Sequence, residues 1–467
     1  MLKGLENSRC PQLVFTVRRS EPELIKPAKP TPRELKPLSD VDDQDGLRFR
    51  QPAILFYRAT DGGISQSKLD PAKVIREALA EALVYYYPWA GRLIEGDERK
   101  LIVDCTAEGV LFVEADTDVT LDQFGVDTLQ PPFPCLEELL YDLPYSAGII
   151  GCPLLLLQVT RLKCRGFIVA LSATHAITDA SGLVQYLNAI ADMARGASAP
   201  SLLPVWQREL LNARDPPRIT CIHREYDEVP NATSNGHHHH HHNNNNNADS
   251  IDQQNKSNKV FQSFFFGPEE ITALRENIPH DYDHLKSCSS FELLIASLWR
   301  CRTIALNIDP DQEVRLAFAV SARPKFNPPL TKGYYGNACA FPAAASTAGE
   351  ICKNPLSYTL ELIKKTKENV TEEYMRSLAD LMVLRGRPHF TVEHTYLVSD
   401  ITRVGFSELD FGWGKPAYAG PANNGSVPDI ASFFVGFKNG KLVPISLPAP
   451  AMEIFVKELQ GLLKTRP

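Results

Sequence analysis

A histidine and an aspartate four positions apart, His175 and Asp179 in LSATHAITDASGL, stand between an apolar run and the start of a helical pattern. An imidazole with an ordinary pKa near 6.5 is mostly neutral at cytosolic pH, so it can take a proton from a weak nucleophile. Both residues are also metal ligands, but a catalytic zinc needs about three protein ligands. The other histidines offer only HDYDH (280 to 284) in an expected loop and HFTVEH (389 to 394) in an expected strand. A Ser-His-Asp hydrolase would carry its serine on a G-x-S-x-G elbow, and none is present. The P-loop and the dinucleotide fingerprint are also missing, and no motif surrounds any cysteine. The structural alternative is that Asp179 caps the helix while His175 is a satisfied polar residue at a strand end. A second unusual stretch, DFGWGKP at 410 to 416, sets two glycines around Trp413 next to Asp410. That composition is costly in backbone entropy and suits a tight, specific loop.

The elements that must position these residues alternate. LVFTVRR, AILFYRA, LLLLQVTRL and GFIVALSA read as strands. DPAKVIREALAEALVYYYPWAG reads as a helix capped by Asp70, opened by Pro71 and stopped before Pro88, with Val74, Leu79, Leu83 and Tyr87 on one face. After His175, Leu183, Leu187, Ile190 and Met193 recur at helical spacing, so the His-Asp pair sits at a strand-to-helix junction. From 216 to 260 the chain turns polar and repetitive, with histidines at 237 to 242, and reads as a linker. The histidine run could bind a transition metal without catalytic consequence. Beyond it, FQSFFFGPEEITALRENI is a strand and a helix opened by Pro268, and Ser289 with Glu292 forms a capping box for the next helix. RLAFAVSA, FTVEHTYLVSD and IASFFVGF are expected strands, and PAMEIFVKELQGLLKT closes the chain as a helix. The coarse organisation is two α/β halves, 1–215 and 261–467, around a linker at 216–260.

Composition narrows the partners. The formal net charge is −7 with no basic stripe, which argues against nucleic acid. No apolar run approaches the roughly 18 residues of a membrane span. Ten cysteines without a C-x-x-C read as reduced thiols, and with no secretory pattern at the N-terminus the expected location is the cytoplasm.

HAITD and DFGWG, in that order and about 230 residues apart, resemble the H-x-x-x-D and DFGWG signatures of the plant BAHD acyltransferases. KPLSDVDDQDGLRF, YYYPWAGRL, QVTRLKCRGFIVAL, SFELLIASLWRCRTIAL, YYGNA and LPAPAME are also family-like, so the resemblance covers nearly the whole chain. RGRPHFT, LVSDITRVGF and DFGWGKPAYAGPA place it near the benzyl alcohol O-benzoyltransferase and alcohol acyltransferase branch.

The resemblance implies two similar chloramphenicol-acetyltransferase-like α/β domains, a long crossover loop and a channel at their interface. It implies a monomer that binds no resident cofactor and takes acyl-CoA, expected to be benzoyl-CoA, and a small alcohol as substrates. His175 would be the base, with Asp179 either orienting the imidazole or, as the family favours, holding the loop through an arginine or the helix start. Asp410 is expected to pair with Arg323, and the indole N–H of Trp413 is the candidate oxyanion donor. For CoA the resemblance points to Ser289 and Ser290, to Ser321, Ala322 and Arg323, and to Ser399, Asp400 and Thr402. Residues 172 to 174 and the pair Glu393-His394 depart from the branch and are expected on the acceptor side, which leaves a bulkier alkaloid alcohol or an aliphatic donor open. A non-catalytic binding relative is the alternative of another class.

Overall fold

The computed structural model describes residues 13–59, 69–125, 129–143, 148–227, 259–423 and 430–464. Strands and helices form where apolar periodicity and caps place them. β1 (Arg50–Tyr57), β2 (Val110–Asp116), β3 (Leu155–Arg161) and β4 (Phe167–Thr174) are the long strands of the first half. All eight residues of β4 are buried, as its unbroken apolar run requires of a central strand. β5 (Lys259–Phe266), β6 (Glu313–Phe318), β7 (Ala343–Thr347), β8 (Thr395–Asp400), β9 (Tyr418–Pro421), β10 (Ala431–Phe437) and β11 (Gly440–Pro448) follow.

Helix α1 (Pro71–Tyr85) begins at Pro71 with Asp70 accepting from Ala72 N at 3.2 Å. It buries Ile75, Leu79 and Leu83 rather than Val74, which is half-buried. α2 (Ala180–Ala194) and α3 (Pro268–Glu276) follow His175 and Gly267. α4 (Ser290–Ala305) carries the expected capping box, with Ser289 N donating to Glu292 Oε2 at 2.8 Å and Glu292 N to Ser289 Oγ at 3.2 Å. α5 (Ala449–Leu463) closes the chain.

The first sheet runs Arg18–Arg19, β2, β3, β4, β1, β9, with Glu23–Ile25 also on β2. The second runs β5, β11, β10, β8, β6, β7. β9 comes from the C-terminal half yet pairs antiparallel with β1, Tyr418 opposite Phe56 and Pro421 opposite Ala53. Phe406, Phe411, Trp413 and Tyr418 accordingly pack in the first core, while Val41 packs in the second. The two halves are therefore stitched together by exchanged segments.

Two expectations change. The stretch beginning at 216 is not linker throughout, because His223, Glu225 and Tyr226 are buried and Tyr226 belongs to the second core. Ser377 Oγ accepts from Thr220 N and Cys221 N at 3.0 Å each, tying this stretch to the second half. Residues 228–258, with the histidine run, lie outside the described residues. The strand expected across 389 to 394 begins only at Thr395, since His394 has a φ of 49° that no extended strand accommodates.

Candidate active site

His175 is placed by the strand before it and the helix after it. β4 ends at Thr174, His175 N donates to Phe49 O at 2.9 Å, and a single 3-10 turn, His175–Ile177, redirects the chain into α2. Among the described residues Nδ1 of the ring is buried without a hydrogen-bond partner, which leaves Nε2 as the nitrogen for a substrate. The ring lies 5.1 Å from that of Phe49 and borders an open cavity of about 160 Å³. Burial pushes the imidazole below its usual pKa, against the opposing pull of Asp179, its own carbonyl, the Asn337 amide and Asp42. The shift favours the neutral ring, whose lone pair can take a proton.

Asp179 faces away from that ring. Its Oδ1 accepts from Gly182 N at 3.0 Å and Arg323 Nη2 at 2.9 Å; its Oδ2 accepts from Arg323 Nη1 at 2.7 Å and Ala338 N at 3.0 Å. It caps α2 and clamps the C-terminal half through Arg323, which also donates to Gly336 O at 3.0 Å. Burial opposes ionisation of this carboxyl, but Arg323 and the two backbone donors outweigh it and hold the pKa below the usual range.

Sequence reasoning missed a second buried clamp. Arg208 Nη1 donates to both oxygens of Asp42, at 2.8 and 2.9 Å, and its Nη2 to Ile177 O at 2.8 Å. Asn337 donates its backbone N and Nδ2 to Asp42 Oδ1 at 2.8 and 2.9 Å, and Nδ2 also reaches His175 O at 2.9 Å. The turn bearing His175 is thus held by three segments distant in sequence. The signal was present, since Asp42 lies in KPLSDVDDQDGLRF and Asn337 in YYGNA, but neither motif names its partner.

The expected coenzyme residues divide. Ser321, Arg323, Ser399 and Asp400 line the cavity with His175. Ala322 is buried, with its N bonded to Ala338 O. Ser289 caps α4, and neither it nor Ser290 borders this cavity. Thr402 is tied to Asp400, its Oγ1 donating to Oδ1 at 2.6 Å. Ala173 from the divergent triplet borders the cavity, whereas Glu393 and His394 do not.

Asp410 and Trp413 require correction. Asp410 does not pair with Arg323; its Oδ1 accepts from Gly412 N at 2.7 Å and Gly414 N at 2.8 Å. Both glycines have positive φ, 108° and 86°, which explains a loop that needs them. Trp413 packs edge-on to Phe167 with ring centroids 5.3 Å apart. Phe167 begins β4 and Thr174 ends it, so the residue that the indole packs against lies on the order of 23 Å along the strand from the end that leads into His175, at about 3.3 Å per residue. The indole cannot be the oxyanion donor. Tyr57 Oη donates to Leu409 O at 3.0 Å, so the loop is an anchor on the first sheet that delivers β9 beside β1.

Among the described residues no three His, Cys, Asp or Glu side chains converge as a metal site, and no helix is long and apolar enough to cross a membrane. The family model described as the Transferase family matches residues 15–462. The chain belongs to this family, the BAHD acyltransferases. A benzyl alcohol O-benzoyltransferase of Nicotiana tabacum is 60% identical over 98% of this chain and 96% of its own length. An alcohol acyl transferase of Malus domestica is 55% identical over 96% and 95%. Among solved structures, vinorine synthase superposes with a TM-score of 0.70 at 22% identity, covering 96% of this chain and 99% of that one. F. sporotrichioides TRI101, complexed with coenzyme A and T-2, gives 0.63 at 17%, covering 91% and 97%. Those two share the two-sheet α/β fold. With this membership the protein is an acyl-CoA-dependent O-acyltransferase acting on an alcohol.

Proposed function

We propose that the protein transfers an aromatic acyl group, benzoyl, from coenzyme A to a small alcohol, with His175 as the general base. The observation that carries this reading is that His175 lines a cavity walled by both halves, with Phe341, Phe406 and Phe433 among its lining. Flat aromatic walls suit an aromatic acyl chain or alcohol. The name of the tobacco relative points to the same pair.

In this mechanism Nε2 takes the hydroxyl proton as the alcohol oxygen bonds to the thioester carbon. The tetrahedral intermediate then expels the thiolate of coenzyme A, and the imidazolium returns its proton to the sulfur. General-base help of this kind contributes roughly 10² to 10⁴ in rate. No covalent acyl-enzyme and no metal enter the balance. Ser321 and Ser399, on the wall supplied by the C-terminal half, are positioned to meet the pantetheine arm, while Arg323 acts through Asp179. One chain supplies both walls, which supports a monomer. The nine described cysteines are all free, which suits the reducing cytoplasm.

The experiment is to follow free thiol release from benzoyl-CoA and from aliphatic acyl-CoAs against a panel of alcohols. Turnover with benzoyl-CoA and benzyl alcohol at least tenfold above acetyl-CoA is expected. A preference for aliphatic donors would overturn the benzoyl assignment, and silence with every pair would favour a binding protein. Ala173 at the cavity leaves space, so bulkier alcohols belong in the panel.

A further inference from the structure

With Trp413 at the far end of β4, the reaction lacks a donor for the oxyanion that forms on the acyl carbonyl. Such a donor must lie within a few ångströms of the point where Nε2 meets the acceptor oxygen. The polar residues around the cavity are nearly all committed elsewhere. Thr178 Oγ1 donates to Tyr335 O at 2.7 Å, and Arg323 is consumed by Asp179 and Gly336. Cys339 is a thiol whose pKa burial pushes far up, and a weak donor in any case. Ser181 also lines a neighbouring cavity, and Ser321 and Ser399 come from the C-terminal half.

Gln51 remains. It lies on β1, in register with Ala173 of β4, and both border the cavity. Directly paired residues project from the same face with Cα atoms about 5 Å apart, so Gln51 and Ala173 share one face, and His175, two residues beyond Ala173 on the 3-10 turn, lines the same cavity. Among the described residues the Gln51 amide's only hydrogen bond is long, from Nε2 to Pro52 O at 3.3 Å. That carbonyl already accepts from Ala422 N at 3.1 Å, so the amide can leave it without orphaning an acceptor.

We propose that the side-chain amide of Gln51 is the oxyanion donor of the acyl transfer: Nε2–H of Gln51 hydrogen-bonds the thioester carbonyl oxygen as charge develops on it. This assignment rests on the function proposed above. The donor is neutral and sits in a largely apolar cavity, where a preorganised dipole acts with little screening. It moves no proton; the oxyanion returns to a carbonyl when the carbon–sulfur bond breaks.

The test uses Gln51→Met, which keeps the length without a donor, and Gln51→Glu, which keeps the shape but presents a negative oxygen. Both are assayed beside wild type on a substrate pair that the wild type turns over, with thermal melting as the fold control and Gln51→Ala as a smaller third variant. A role confined to the transition state lowers kcat of Gln51→Met by about 10² to 10³ with both KM values within a few-fold. Gln51→Glu should fall further. An unchanged kcat with a raised KM for the alcohol would make Gln51 an acceptor contact and overturn the assignment. So would full activity in all three variants, or a kcat loss that follows melting temperature alone. Wild type inactive on every pair would instead overturn the proposed function.

Discussion

Replacing Asp179 with Asn separates a clamp from a catalytic carboxylate. The side chain keeps one acceptor for Gly182 N, but its amide N–H₂ then faces Arg323 Nη1 and Ala338 N, two donors that lose their acceptor. Asp179 is 5% exposed, so the guanidinium is left with a missing counter-charge in a poorly solvated place. Breaking a buried pair this way costs about 3 to 5 kcal/mol. Each half is of the size at which one kcal/mol moves the melting temperature by about 2 to 4 °C, so a loss on the order of 10 °C is expected. Since the carboxylate makes no bond to His175, kcat of the folded fraction should fall by less than about 10², against about 10⁴ for a triad carboxylate. A cycle with Arg323→Gln should show coupling near the upper end of about 0.5 to 3 kcal/mol. Thermal melting by circular dichroism and kcat measured well below the transition decide the matter: a variant that melts like wild type yet loses about 10⁴ in kcat refutes the clamp.

Other outcomes follow from the same geometry. Because burial lowers the His175 pKa and the base must be deprotonated, the acid limb of kcat/KM should lie below pH 6.5, and Asp179→Asn, which removes the charge that raises it, should move that limb lower still; a limb above 6.5 contradicts the assigned cause. Asp410→Ala removes the acceptor for Gly412 N and Gly414 N and should lower melting temperature and activity together, whereas Asp410→Asn keeps an acceptor oxygen and should be mild in both assays. Trp413→Phe should leave kcat within a few-fold of wild type, and a 10²-fold loss with an unaltered melt would return the indole to the chemistry. Gly182→Ala would ordinarily gain about 1 kcal/mol in a helix, yet here an added Cβ meets Tyr335 O and Thr178 Oγ1, so melting temperature and turnover should both drop.

What the chain determined by itself were the features written within a few residues of one another. Asp70 capping α1, Pro71 and Pro268 at first helical positions and the Ser289–Glu292 box are contacts over two to four residues, and each is present. His175 at a strand-to-helix junction is of the same kind, because an apolar run, a turn and a 3.6-residue period are local signals. The partners were not local. Asp179 meets Arg323 144 positions away and Asp42 meets Asn337 295 positions away, and one sequence carries no distance information across such gaps. Asp410 illustrates the consequence: a carboxylate beside two glycines was assigned a distant arginine, while its Oδ1 accepts from two amides of its own loop. For Trp413 the signature was legible but its position was not, since only the pairing of β9 on β1 shows that the indole packs at one end of β4 and the base sits at the other. The partial burial of His175, which lowers its pKa, likewise arises only when Phe49, Asn337 and the cavity walls close around it, since desolvation is a property of the packed molecule.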